Sequence, residues 1–128
     1  MRTVLLLTQR RPVAQSLMRK MRNTPDVRLL YEHDYTEAET SVLSDFVGVI
    51  LVEIAESGKY DTGFCLALCN RIRMKAPGCK LLLLCPEQDE IIIAAAIEAK
   101  RDGHVDDFLF CDATIDFIMA KILSFLSV

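Results

Sequence analysis

Residues 47–58 read Val47-Gly48-Val49-Ile50-Leu51-Val52-Glu53-Ile54-Ala55-Glu56-Ser57-Gly58. The first part is apolar, rich in Val and Ile, and shows no polar alternation. Such a run suits a strand covered on both faces, as in a parallel sheet. It ends on a lone carboxylate, Glu53, and then a polar segment with glycine. In open α/β sheets the carboxyl ends of the strands are where ligands and chemistry collect. Glu53 therefore stands where chemistry is expected, and its neighbours decide what it can do.

Upstream, residues 3–7 form a short apolar run, the first expected strand. Pro12 suits the first turn of a helix, and Val13, Leu17 and Met21 recur at helical spacing up to about residue 22. Asn23-Thr24-Pro25-Asp26 ends that helix. Residues 27–31 are a weaker strand candidate. Thr36 and Glu39 have capping-box spacing and predict a short second helix through Val42 and Leu43.

Downstream, Asp61 or Thr62 is placed to cap a third helix whose inner face holds Cys65, Leu68, Cys69 and Ile72. Ala76-Pro77-Gly78 stops it. Residues 80–85 give a fourth strand before Pro86. Residues 91–100 give a fourth helix, with Gly103 suited to a left-handed cap. Residues 108–111 are a fifth short strand, and residues 114–126 a last helix with Ile115, Ile118, Met119, Ile122 and Leu126 inward. Strand and helix alternate five times with short connections. That pattern predicts a flavodoxin-like, doubly wound five-stranded parallel sheet, order 2-1-3-4-5, with helices on both faces.

The 128 residues suit a single domain, residues 1–128, with no attached output domain. A net charge of -3 offers no global footprint for nucleic acid. No apolar stretch approaches a membrane span, and the apolar run at the N-terminus is too short for a signal peptide. A cytoplasmic protein is expected. The cysteines number five, an odd count without a Cys-x-x-Cys pair, which points to reduced, packed thiols. Cys65 and Cys69, four residues apart, lack a third ligand nearby in sequence and read as a packed helix face rather than a metal site. His33 and His104 fall in different regions, without a nucleophile or carboxylate at motif spacing. Arg71, Arg73 and Lys75 read as a solvated face.

Three local words carry a family resemblance. Residues 50–58, "ILVEIAESG", resemble the third-strand word of response-regulator receiver domains (CheY-like), a hydrophobic strand ending in aspartate and closing on glycine. Residues 104–112, "HVDDFLFCD", resemble the family's Gly-Ala-Asp-Asp-Tyr-Leu-x-Lys-Pro segment. Residues 91–103, "IIIAAAIEAKRDG", are similar to its fourth helix. The resemblance implies the fold already read from the alternation, together with a place in two-component signal transduction.

The family's pocket residues are changed here. Where receivers carry an acidic pair holding Mg²⁺, this chain has Thr8 and Gln9. Glu53 stands at the phosphoacceptor aspartate, Cys85 at the Ser/Thr that contacts the phosphoryl group, Cys111 at the lysine and Asp112 at the proline. Phe108 falls at the aromatic switch position. Mg²⁺ is usually held by carboxylates, phosphate oxygens and water, and phosphoryl transfer depends on cationic neutralisation. The implied reading is a non-enzymatic pseudo-receiver without cofactor, since the acidic Mg²⁺ ligands are absent.

Glu53 has three readings: a phosphomimic, an ion-pair partner of Arg10 or Arg11, and a solvated carboxylate. Phe108 is either a switch or core. The expected function is a stand-alone signalling module. It would bind a signalling protein, or dimerise, through the face of the fourth helix, fifth strand and fifth helix, with Lys100, Arg101, Asp106 and Asp107 as candidate contacts. The alternative is an active response regulator of a phosphorelay that accepts phosphate at Glu53. A flavin-binding protein of the same fold would need a loop of small residues after the first strand, and Gln9-Arg10-Arg11-Pro12 does not supply one.

Overall fold

The computed structural model describes residues 2–126. In chain order it comprises β1 (Arg2–Leu7), α1 (Arg11–Met21), β2 (Val27–Glu32), a 3-10 turn (Tyr35–Glu37), α2 (Ala38–Ser44) and β3 (Val47–Glu53), then α3 (Thr62–Lys75), β4 (Lys80–Cys85), α4 (Glu90–Arg101), β5 (Asp107–Phe110) and α5 (Ile115–Leu126). All neighbouring strands pair in parallel, in the order β2-β1-β3-β4-β5. This is the doubly wound arrangement that the alternation predicts.

The sheet divides the apolar residues into two cores. Along β3, Ile50 and Val52 face α2, α3 and α4, while Val49 and Leu51 face α1 and α5. Both sets are fully buried, which explains why the strand reads as an unbroken apolar run. Asp61 caps α3 by accepting the amide of Phe64, and Asp89 caps α4 by accepting that of Ile92. Gly103 takes a φ of 79° just past α4, a conformation in which a side chain would be strained.

The expected capping box at Thr36 and Glu39 is not the one formed. Asp34 accepts from the amide and hydroxyl of Thr36 and starts the 3-10 turn. Glu39 instead reaches across to α3, where Arg71 (2.8 Å) and Lys75 (2.6 Å) hold it. Arg71, Arg73 and Lys75 are thus not a merely solvated face: two of them tie α2 to α3, and Arg73 pairs with Asp106 at 3.0 Å. The fifth strand lies one residue earlier than expected, so Cys111 falls just beyond it. Among the described residues, no helix is long and apolar enough to cross a membrane.

Candidate functional site

Parallel pairing of β1, β3 and β4 brings the carboxyl ends of the central strands to one edge, where a cleft of about 550 Å³ opens. Its lining includes Gln9, Arg10, Tyr35, Glu53, Cys111 and Asp112. Glu53, the last residue of β3, is only 8% exposed. A buried carboxylate needs partners for its lone pairs, and it has three. The hydroxyl of Thr8, itself fully buried, donates to Oε1. The Arg10 guanidinium lies 2.6 Å from Oε2 through its Nε. The Cys111 thiol donates to the same Oε2 over 3.4 Å.

Thr8 serves both partners. Its Oγ1 accepts the backbone N–H of Arg10 at 3.0 Å, so the loop that delivers the guanidinium is folded by the residue that binds the other carboxylate oxygen. Of the two arginines raised from the sequence, Arg10 forms the pair. Arg11 begins α1 and is exposed. Gln9 points its amide elsewhere, donating to the carbonyl of His33.

Tyr35 is the site residue that the sequence reading missed. Its ring is buried, and its hydroxyl is 3.1 Å from the carbonyl of Leu7 and 2.8 Å from that of Glu53. One phenol thus bridges the final residues of β1 and β3. Burial, reinforced by Cys65 and Glu53 nearby, pushes the phenol well above its ordinary range, so it remains a donor. The ring stacks on Tyr60 at 4.0 Å, and Tyr60 lies 3.2 Å from Asp34 through its hydroxyl. The loops after β2 and β3 are therefore joined beside the cleft.

The two strand-end cysteines do not meet. Cys85 is fully buried in the core beneath α3 and α4, whereas Cys111 packs against the α1–α5 core. Their backbones touch through Cys111 N–H to the Cys85 carbonyl at 2.8 Å, but the sheet sends the side chains to opposite faces. Burial pushes the Cys85 thiol up to about 12, and burial together with Glu53 pushes Cys111 up to about 12. Both are weak nucleophiles at neutral pH. Cys65 and Cys69 are buried packing residues, their thiols also pushed up chiefly by burial.

The donor set does not suit the divalent cation associated with the fold. Among the described residues, no group of three or more His, Cys, Asp or Glu side chains is placed to hold a metal ion. Thr8 and Gln9 offer no charge, and both oxygens of Glu53 are already engaged. The cleft rim adds Glu56, Glu87 and Asp112 against one guanidinium, a balance that opposes entry of a phosphate group.

At the far side of the sheet, Phe108 is half-buried against the core, edge-on to Phe110 at 5.9 Å, with the Lys100 ammonium 6.0 Å from its ring. Asp106 and Asp107 are not the exposed contacts expected. Asp106 is held by Arg73 and by the amide of Leu81 at 2.7 Å. Asp107 is 9% exposed and is gripped by Lys100 and Lys121, each at 3.0 Å. Lys100 is thereby engaged as well, while Arg101 stays exposed beside its neighbour Asp102.

No family model matches the sequence, and no curated protein matches it. Solved structures do. The chain is similar to an adenylate cyclase from Rhodopirellula baltica (23% identity, TM-score 0.81, covering 98% of this chain and 87% of that one). It is also similar to the signal receiver domain of an HD domain-containing protein from Pseudomonas fluorescens Pf-5 (21%, 0.77, 98% and 94%) and to a response regulator from Thermotoga maritima (17%, 0.77, 100% and 99%). At these identities the likeness establishes the CheY-like receiver fold.

Proposed function

We propose that this chain is a receiver-like signalling module that works by protein–protein interaction and not by Mg²⁺-dependent phosphorylation. The observation that carries this reading is the closure of the Glu53 carboxylate by Thr8, Arg10 and Cys111. Where a receiver would need a free acceptor oxygen, a metal and a lysine, this chain supplies an internal ion pair. Arg10 neutralises the carboxylate from the first loop, so the pocket is held in one arrangement without phosphate. This favours the ion-pair reading of Glu53 over the solvated one, and it leaves no free oxygen for phosphomimicry of the simple kind.

The partner surface in this reading is the α4–β5–α5 face. Each of its elements presents an exposed large apolar side chain: Ile97 on α4, Phe110 on β5 and Phe117 on α5. Lys100 and Lys121 hold Asp107 within that same face. Homodimerisation and docking of a signalling protein both use such a surface.

Incubation with acetyl phosphate and Mg²⁺, read by intact mass, tests the central claim. No mass gain is expected. A gain of one phosphate that disappears in Glu53→Gln would establish the competing reading, an active response regulator that accepts phosphate at Glu53.

A further inference from the structure

The charge of this chain is unevenly placed. Residues 1–25 hold six of the 15 Lys and Arg and none of the 18 Asp and Glu. Three of these cations are already used: Arg10 on Glu53, Lys20 on Asp116 and Arg2 on the Leu126 carbonyl. Among the described residues, Arg11, Arg19 and Arg22 have no partner. They are exposed, and with Gln15 and Met18 they follow the helical spacing of one stripe along the outer face of α1.

Beside this stripe lies a cleft of about 240 Å³ between α1 and β2. It is lined by the apolar Met18, Met21, Val27 and Leu29 together with Arg22 and with Arg28, whose guanidinium pairs with Asp45 at 3.2 Å. Met18 is 40% exposed at the junction of stripe and cleft. β2 is also an edge strand, with one side of its backbone unpaired by the sheet.

We propose that the outer face of α1 and its cleft with β2 form a second docking surface, for an acidic segment of a partner protein that carries an apolar anchor side chain. Charge complementarity selects carboxylates, which a guanidinium fork binds in bidentate fashion. The apolar lining at Met18 selects the anchor. A nucleic acid or an anionic membrane would use the arginines but leave that lining idle. This surface is separate from the α4–β5–α5 face and does not depend on the state of Glu53.

The test uses fluorescence anisotropy with a labelled synthetic peptide in which glutamates are interspersed with leucines. The comparisons are an all-glutamate peptide of equal charge, a single-stranded oligonucleotide and phosphatidylserine vesicles. The mixed peptide is expected to bind best, and to weaken as salt shortens the screening length. The double variant Arg19→Glu/Arg22→Glu should weaken it by about tenfold or more, summing two lost and two repulsive contacts. Met18→Asp should weaken it severalfold, and amide shifts on binding should map to α1 and β2. Unchanged circular dichroism in these surface variants separates lost binding from lost folding. The proposal is overturned by no saturable binding, by equal binding of the all-glutamate peptide, by tighter binding of oligonucleotide or vesicles, or by shifts confined to the α4–β5–α5 face.

Discussion

Two carboxylates in this fold are buried almost equally and are held in different ways. Glu53 sits at the carboxyl end of β3 with 8% exposure, and Asp107 at the start of β5 with 9%. Asp107 meets two ammonium groups, from α4 and α5, and the N–H of Phe108 at 2.8 Å. Glu53 meets one guanidinium from a loop, a hydroxyl and a thiol. The first set joins two helices to a strand, so it is an architectural tie. The second is local to the strand ends and borders an open cleft. The contrast shows that two equally buried carboxylates can be satisfied by different means, one by helices that it ties together and one by neighbours at the strand ends.

The tie at Asp107 should matter most for stability. Asp107→Asn keeps the shape but leaves two lysines facing a neutral group, and a loss of about 2–3 kcal/mol is expected in urea denaturation. Burial raises the carboxyl, but hydrogen bonds from Lys100, Lys121 and Phe108 outweigh it and hold the group below the ordinary range. A depressed folded pKa contributes stability that is complete above the unfolded value near 4 and is lost as pH falls through the folded value. Wild type should therefore lose stability in acid more steeply than Asp107→Asn. Parallel acid profiles for the two would remove Asp107 from the account.

Arg10→Ala probes the other side of the comparison and should cost less, about 1–2 kcal/mol, because the Arg10 side chain is 43% exposed and water can take over part of its role. The effect should be salt-sensitive, unlike that of Asp107→Asn. If Arg10→Ala proves as costly as Asp107→Asn and insensitive to salt, the pocket is an architectural tie too, and the distinction fails.

How far these features are legible in the sequence depends on the range over which they are set. The apolar runs at Val47–Glu53 and Lys80–Cys85, the cap at Asp61 and the left-handed Gly103 are local signals, and their alternation along the chain yields the strand order and both helical layers, whereas the Asp89 cap of α4 was not read. Arg10 was within reach because it follows Thr8 in the same loop. Tyr35 was not: its two acceptors lie 28 and 18 residues away, and a tyrosine in a polar turn carries no periodic signal. The capping-box spacing at Thr36 misled because Asp34, two residues earlier, offered a shorter route to the same amide. Cys85 and Cys111 close adjacent strand ends, but alternation about the sheet places Cys85 with Leu81 and Leu83 on the face away from Cys111.

Cys111 marks the smallest term of the comparison and the most direct probe of Glu53. A thiol is a weak donor, so Cys111→Ala should cost only about 0.5–1 kcal/mol, close to the lower end for a net hydrogen bond plus a small packing loss. Its reactivity is more informative. Burial and then the Glu53 carboxylate push this thiol up to about 12, with Arg10 opposing. Glu53→Gln removes the negative charge and leaves the burial, so alkylation of Cys111 by iodoacetamide should accelerate severalfold, since the rate follows the thiolate fraction. Arg10→Ala should act in the opposite sense and slow it. Cys85, fully buried on the other face, is an internal control whose rate should respond to neither change. If Cys111 alkylates at the same rate in all three proteins, burial alone governs the thiol and its bond to Glu53 has no electrostatic consequence. Opposite responses would instead place carboxylate, guanidinium and thiol in one coupled set, closed at the position where Asp107 has only lysines and an amide.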